Sequence, residues 1–157
     1  MTLTVDTREG ASAEIQAVIF RLGAETYGVE IGFVHEIIRV QPPAALPGSS
    51  AAVLGVINLR SRIVPVISLR AAFGGTEVEP GPASRIVIVS WNASRVGLLV
   101  DEVVEVRSFD VDAIQQPPAM LAGDRHHTIG IARTERGLVA LLDVESAIGA
   151  VELSRAS

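Results

Sequence analysis

The side chains of this 157-residue chain that could do chemistry are three histidines, an adjacent pair of serines and an adjacent pair of acids. His35 lies in a strand-like run between Val34 and Glu36. His126 and His127 are neighbours, so on an extended strand they point to opposite faces and do not grip one metal together. Ser49 and Ser50 follow Gly48 with no G-x-S-x-G elbow to seat a nucleophile, and read as a turn. Asp101 and Glu102 face apart on a strand, which separates them as an acid and base pair. There is no G-x-G-x-x-G or Walker pattern. Cysteine is absent, and all 13 basic residues are Arg. Thiolate nucleophiles, disulfides, Cys-ligated zinc, a Schiff-base lysine and a P-loop lysine are therefore excluded. The expectation is a protein that is not an enzyme and uses neither a cofactor nor a metal.

A net charge of −5, with acids and bases interspersed, leaves no basic stripe to neutralise phosphates, so nucleic acid is not an expected partner. The start of the chain carries Asp6, Glu9 and Glu14 and lacks the basic, then apolar, pattern of a signal peptide. The most apolar stretch, 44–59, is interrupted by Pro47, Gly48 and two serines, so no membrane insertion is expected. Zero cysteine fits a reducing, intracellular setting.

The elements that must position these residues are short. Val, Ile and Leu recur in brief runs divided by Gly, Pro, Asn and Ser, the rhythm of a mainly β protein. The runs predict strands at 17–22, 27–31, 33–40, 53–58, 63–67, 86–91, 96–100, 102–107, 128–133 and 138–142. The two halves also superpose. An offset of 69 (97 − 28) matches Ile19 with Ile88, Gly28 with Gly97, Val34 with Val103 and Glu36 with Glu105. An offset of 75 (130 − 55) matches Gly55 with Gly130, Ile63 with Leu138 and Ala72 with Ala147. Each half closes on a short helix, with Ser68 and Asp143 as N-caps and Gly74 and Gly149 as stops. Two repeats of about five strands predict two small barrels sharing a core. The expected division is a flexible tail over 1–16, one domain over 17–150 with its two barrel subdomains meeting near 76–84, and a tail over 151–157.

Two places combine charge with apolar surface. Alternation puts Val34, Glu36, Ile38 and Val40 on one strand face and His35, Ile37 and Arg39 on the other. Glu36 is then either an edge residue that reaches water or an Arg, as Glu105 at the equivalent position suggests, or the charge in a protein contact. The run from Gly55 to Ile67 reads as a hairpin whose tip carries Asn58, Arg60 and Arg62, arginines suited to a partner carboxylate. Pro65 implies an edge or a bulge.

The order of these motifs resembles the CheW-type coupling proteins of bacterial chemosensory arrays. The resemblance rests on Phe20 and Leu22, on Tyr27 to Ile31 leading to Val34 to Ile38, and on Leu46-Pro47. It continues through Gly55 to Arg60, Ile63 to Arg70, Gly97 to Val103, and Leu141 to Asp143, and spans about 18–148. It implies two intertwined SH3-like five-stranded β-barrels with short terminal helices. It also implies a non-catalytic, cytoplasmic adaptor recruited to membrane-associated receptor arrays. The implied partners are the cytoplasmic tip of methyl-accepting chemoreceptors, seated in an apolar groove between the barrels, and the regulatory domain of a CheA-type histidine kinase. Val34, Glu36, Arg60 and Ile86 match receptor-contact positions, and Gly55, Asn58, Gly97 and Asp101 match structural ones.

The chain departs from the family pattern at Ser61, where Gly is usual, at Ser68, where Asp is usual, and at His35. These departures point to an auxiliary or non-flagellar pathway. The rival reading is a small-ligand-binding or hydrolytic domain on a duplicated β-barrel, which a deep polar pocket with converging titratable groups would favour.

Overall fold

The structure, a computed structural model, describes residues 13–48, 52–73, 79–116 and 127–149. The ten expected strands are all present: β1 (Glu14–Leu22), β2 (Glu25–Glu30), β3 (Val34–Arg39), β4 (Val53–Leu59), β5 (Arg62–Ser68), β6 (Arg85–Trp91), β7 (Ser94–Val100), β8 (Glu102–Asp110), β9 (Thr128–Thr134) and β10 (Gly137–Leu142). Two short helices, α1 (Leu69–Ala72) and α2 (144–149), follow β5 and β10. Both N-caps act as the sequence implies. The Ser68 hydroxyl accepts from the Ala71 amide at 3.2 Å and the Asp143 carboxylate from the Ser146 amide at 3.2 Å, each satisfying an orphan donor of the first turn. Gly149 is still helical rather than a stop, and Gly74 lies outside the described residues.

Strand order is β8-β1-β2-β10-β9 in one sheet and β3-β6-β7-β5-β4 in the other. Each sheet therefore takes its first two strand types from one half of the chain and the other three from the other half. A barrel for each half, as the repeat alone suggests, is corrected to two barrels that exchange strands. β5 and β6, the strands on either side of the expected boundary near 76–84, lie in one sheet. The exchange is sealed by two parallel pairings, Leu141 beside Gly28 and Val66 beside Gly97. β1 begins at Glu14, with Ile15 buried opposite Phe109, so the last three residues expected in the N-terminal tail belong to the sheet.

Closure comes from the chain just beyond β3 and β8. Ala44 exchanges both backbone bonds with Val56 of β4 at 2.8 and 2.9 Å, and Gln115 does the same with Ile131 of β9 at 2.9 and 2.7 Å. Gly55 and Gly130 sit beside these crossings because a Cβ at either would collide with the crossing segment, the Ala44 carbonyl in one case and the Ile114 side chain in the other.

Three apolar clusters result. Ala17, Ile19, Phe109, Ala132, Val139 and Leu141 fill the first barrel, while Ile57, Leu59, Val64, Val66, Ile86 and Ile88 fill the second. The largest cluster lies between them and draws Phe20, Tyr27 and Leu142 from one sheet and Ile67, Val87, Val89 and Leu98 from the other. A small barrel cannot bury enough apolar surface alone, so the shared core is what makes the two stable together.

Candidate functional site

The β4-β5 hairpin turns on Arg60 and Ser61, both in the left-handed region with φ of 51° and 68°. Two such residues in succession make the turn whose twist matches the flanking strands. Asn58 supports it by accepting the Ser61 amide at 3.0 Å on Oδ1. The turn aims Arg60 back across the barrel opening at β3. Its Nη2 donates to Glu36 Oε1 at 2.7 Å and its Nη1 to Glu36 Oε2, a two-bond ion pair between the two edge strands of the sheet. The Arg60 bond, with its charge and those of Arg95 and His35, holds the Glu36 carboxyl below its ordinary value. Arg60 is raised in turn, first by the hydrogen bond to Glu36. The side chains are 70% and 24% exposed, so the carboxylate is spent on a partner inside the chain while one side of the guanidinium faces solvent.

The strand that carries Glu36 does not alternate simply. Its register with β6 shifts between Val34 and Glu36, which leaves His35 as an extra residue bonded through Nε2 to the Ser90 hydroxyl at 2.7 Å. Val34 pairs with Val89 and packs on the inter-barrel core, whereas Ile38 pairs with Ile86 and packs inside the second barrel. Val34 and Ile38 thus do not share a face, contrary to the alternation read from sequence. Ile37, placed by sequence on the opposite face, pairs with the buried Val87 of the inter-barrel core and remains 37% exposed. It is the apolar side chain that sequence reading missed. The signal was its period, which a bulge hides.

Ile86 is fully buried in the second barrel, so as a contact residue it is corrected: it offers no surface and shapes the wall beneath. Its neighbour across the sheet explains Gly97, where a Cβ would stand 2.7 Å from Ile86 Cγ2. Gly28 repeats the arrangement against Leu141 at 2.9 Å and Ile19 at 3.1 Å. Asp101, between β7 and β8, accepts the Gly23 amide and Arg70 Nη2 on Oδ2, both at 2.6 Å, and so ties the β1-β2 turn and α1 to the junction of the two sheets. Burial pushes the Asp101 carboxyl up, but the Arg70 bond, the Gly23 amide and the charges of Arg70 and Arg21 together bring it below its ordinary value. Pro65 sits in β5, an interior strand, yet pairing with β7 begins only at Val66, so the proline lies where β5 has one neighbour.

Among the described residues no group of three or more His, Asp or Glu side chains is placed to hold a metal ion; His126, Ser49 and Ser50 lie outside them. His127 Nδ1 meets the Ser146 hydroxyl at 2.9 Å, and its ring stacks on Phe73.

The family model described as a CheW-like domain matches residues 16–152. The chain belongs to the CheW-like family. The chemotaxis protein CheW of Treponema pallidum is 31% identical over 147 residues, 90% of this chain and 86% of that protein. The protein PilI of Pseudomonas aeruginosa is 35% identical over 102 residues, 63% of this chain and 57% of that protein. In structure, the scaffolding protein TtCheW of Thermoanaerobacter tengcongensis superposes with a TM-score of 0.80 at 30% identity, covering 92% of each chain. As a CheW-like protein, the chain is a signalling adaptor built on the two intertwined five-stranded units described above. Among the described residues no helix is long and apolar enough to cross a membrane.

Proposed function

We propose that this CheW-like protein is a non-catalytic scaffold that couples methyl-accepting chemoreceptors to a CheA-type histidine kinase, in an auxiliary or non-flagellar pathway, from the cytoplasmic side of a receptor array. The observation that carries this reading is the β3 strand between the barrels. It sets the exposed Ile37 and the half-buried Val34 beside the inter-barrel core, and anchors Glu36 against Arg60 next to them. An apolar strip with a charged margin has the anatomy of a protein contact, and it suits the apolar face of a receptor helix laid along it. Val34, Glu36 and Arg60 are the receptor-side residues of this proposal, joined by Ile37; Ile86 supports them from below.

Calorimetry of the full chain against a receptor tip fragment, and against each CheA-type regulatory domain encoded in the same genome, tests the reading. Binding to one regulatory domain and to the receptor tip is expected. Ile37→Ser is expected to weaken the receptor arm while leaving the kinase arm and the melting temperature nearly unchanged. Failure to bind any of the regulatory domains overturns the coupling role.

A further inference from the structure

At the far end of β3 from the hairpin ion pair, Arg39 and Arg85 stand directly opposite each other in the β3-β6 register. Like charges opposed across a strand pair repel, and a sheet has no folding reason to place them so. Neither arginine has an ion pair among the described residues, although the chain carries 18 acids and a net charge of −5. Both line one open cleft of about 380 Å³ with Val40, Gly81, Pro82 and Ser84, a volume in the range of small-ligand sites.

The cleft is built rather than incidental. Arg85 Nη1 donates to the Pro82 carbonyl at 3.0 Å and to the Ser84 carbonyl at 2.7 Å, so the guanidinium is fixed by backbone and keeps its Nε and Nη2 donors unspent. The loop beneath it is closed by the Ser84 amide donating to the Gly81 carbonyl at 3.1 Å and the Gly81 amide donating to the Ser84 hydroxyl at 2.9 Å. Ser84 is buried in the lining of the cleft and its hydroxyl acts as an acceptor there, which leaves its own proton uncommitted.

We propose that this cleft is a binding site for a phosphate group, carried either by the free ion or by a small phosphate monoester. Two guanidiniums that are not paired with acid match a dianion in charge, and donors converging from two strands and a loop hydroxyl match a tetrahedral group better than a planar carboxylate. The loop holds Arg85 in place before the ligand arrives, which lowers the ordering cost of binding. The site adjoins the proposed receptor strip, because Arg39 stands two residues beyond Ile37 on the same face of β3, but the phosphate assignment does not rest on the adaptor reading.

The test is calorimetry and thermal unfolding of the full chain with inorganic phosphate and, in a second arm, glycerol 3-phosphate, each against chloride at matched ionic strength. Saturable one-to-one binding and a ligand-dependent rise in Tm are expected. Tighter binding of the free ion or of the monoester identifies which of the two the site takes. Arg39→Gln is expected to weaken binding by about tenfold or more. Without ligand, this variant should melt no lower than the parent, because it removes a repulsion and breaks no bond. The proposal is overturned by no saturable binding in either arm, by binding that Arg39→Gln leaves unchanged, or by a ligand-free Arg39→Gln that melts lower. Binding of a glutamate-rich peptide without binding of phosphate would likewise overturn it, by making the cleft a protein contact.

Discussion

Arg60 and Glu135 hold the same place in the two repeats, 75 positions apart (135 − 60), and make the same kind of bond with the charges exchanged. Arg60 reaches from the β4-β5 turn to Glu36 on β3; Glu135 reaches from the β9-β10 turn to Arg107 on β8, at 2.6 and 2.9 Å. In each barrel the pair spans the gap between the two edge strands. Arg107 also bonds Glu105, the repeat equivalent of Glu36, at 3.1 Å.

Since the first barrel already carries a pair with the charges exchanged, the second should tolerate inversion. Arg60→Glu and Glu36→Arg are each expected to lower the melting temperature slightly, as for exposed ion pairs. The double variant should recover most of the loss. Receptor binding should stay weakened in the double variant, because the charge beside Ile37 remains reversed. Thermal unfolding and receptor-fragment calorimetry on all three variants give the answer. A double variant no more stable than the singles would show that the pair does not brace the barrel.

Acid should loosen the first barrel before the protein unfolds. The bonds from Arg107 hold the Glu135 carboxyl at about 2, well below its ordinary 4.5. A carboxyl lowered in the folded state binds fewer protons there than in the unfolded chain, so its stabilisation is complete above about 4.5 and disappears as pH falls towards 2. Glu135→Gln should be less stable than the parent at neutral pH, and the two stability curves should converge over that window. Asp101, also lowered, leaves a residual slope in the variant. Urea unfolding at a series of pH values checks this; parallel curves would contradict it.

Gly97→Ala is expected to destabilise the fold by about 1–3 kcal/mol, because its new methyl meets Ile86 in a packed barrel. Ile86→Ala removes the Cγ2 that the methyl meets, so the double variant should lose less than the sum of the two single changes. Gly55→Ala should cost more than Gly97→Ala. There the obstacle is the Ala44 carbonyl, which cannot rotate away, and φ is +147°. Chemical unfolding of the four variants, the double included, checks both expectations.

Ser61→Gly should raise stability by up to about 1 kcal/mol, since Ser61 holds a φ of 68° that costs a residue with a Cβ but not glycine. The gain is reduced by the greater freedom glycine has when unfolded. Asn58→Ala should act in the opposite sense, by removing the acceptor of the Ser61 amide. If Ser61→Gly also leaves receptor affinity unchanged, the departure from the usual glycine is one of stability alone.

The sequence by itself determined the local layer of this protein. The ten strands, the two N-caps at Ser68 and Asp143, and the doubled pattern of Gly28 with Gly97 and Gly55 with Gly130 all follow from residue types and period, because turns, caps and close approaches are decided within a few positions. The tertiary structure alone decided which strands sit together. Nothing local distinguishes β10 beside β2 from β10 within its own half, since both arrangements present the same alternating faces, and the choice rests on pairings between residues more than a hundred positions apart. The same non-local choice buried Ile86, turned Ile37 outward through the bulge at His35, set Arg60 on Glu36, and brought Arg39 face to face with Arg85. Alternation along a strand fixes which side a residue faces, but only packing against a distant strand fixes what lies on that side.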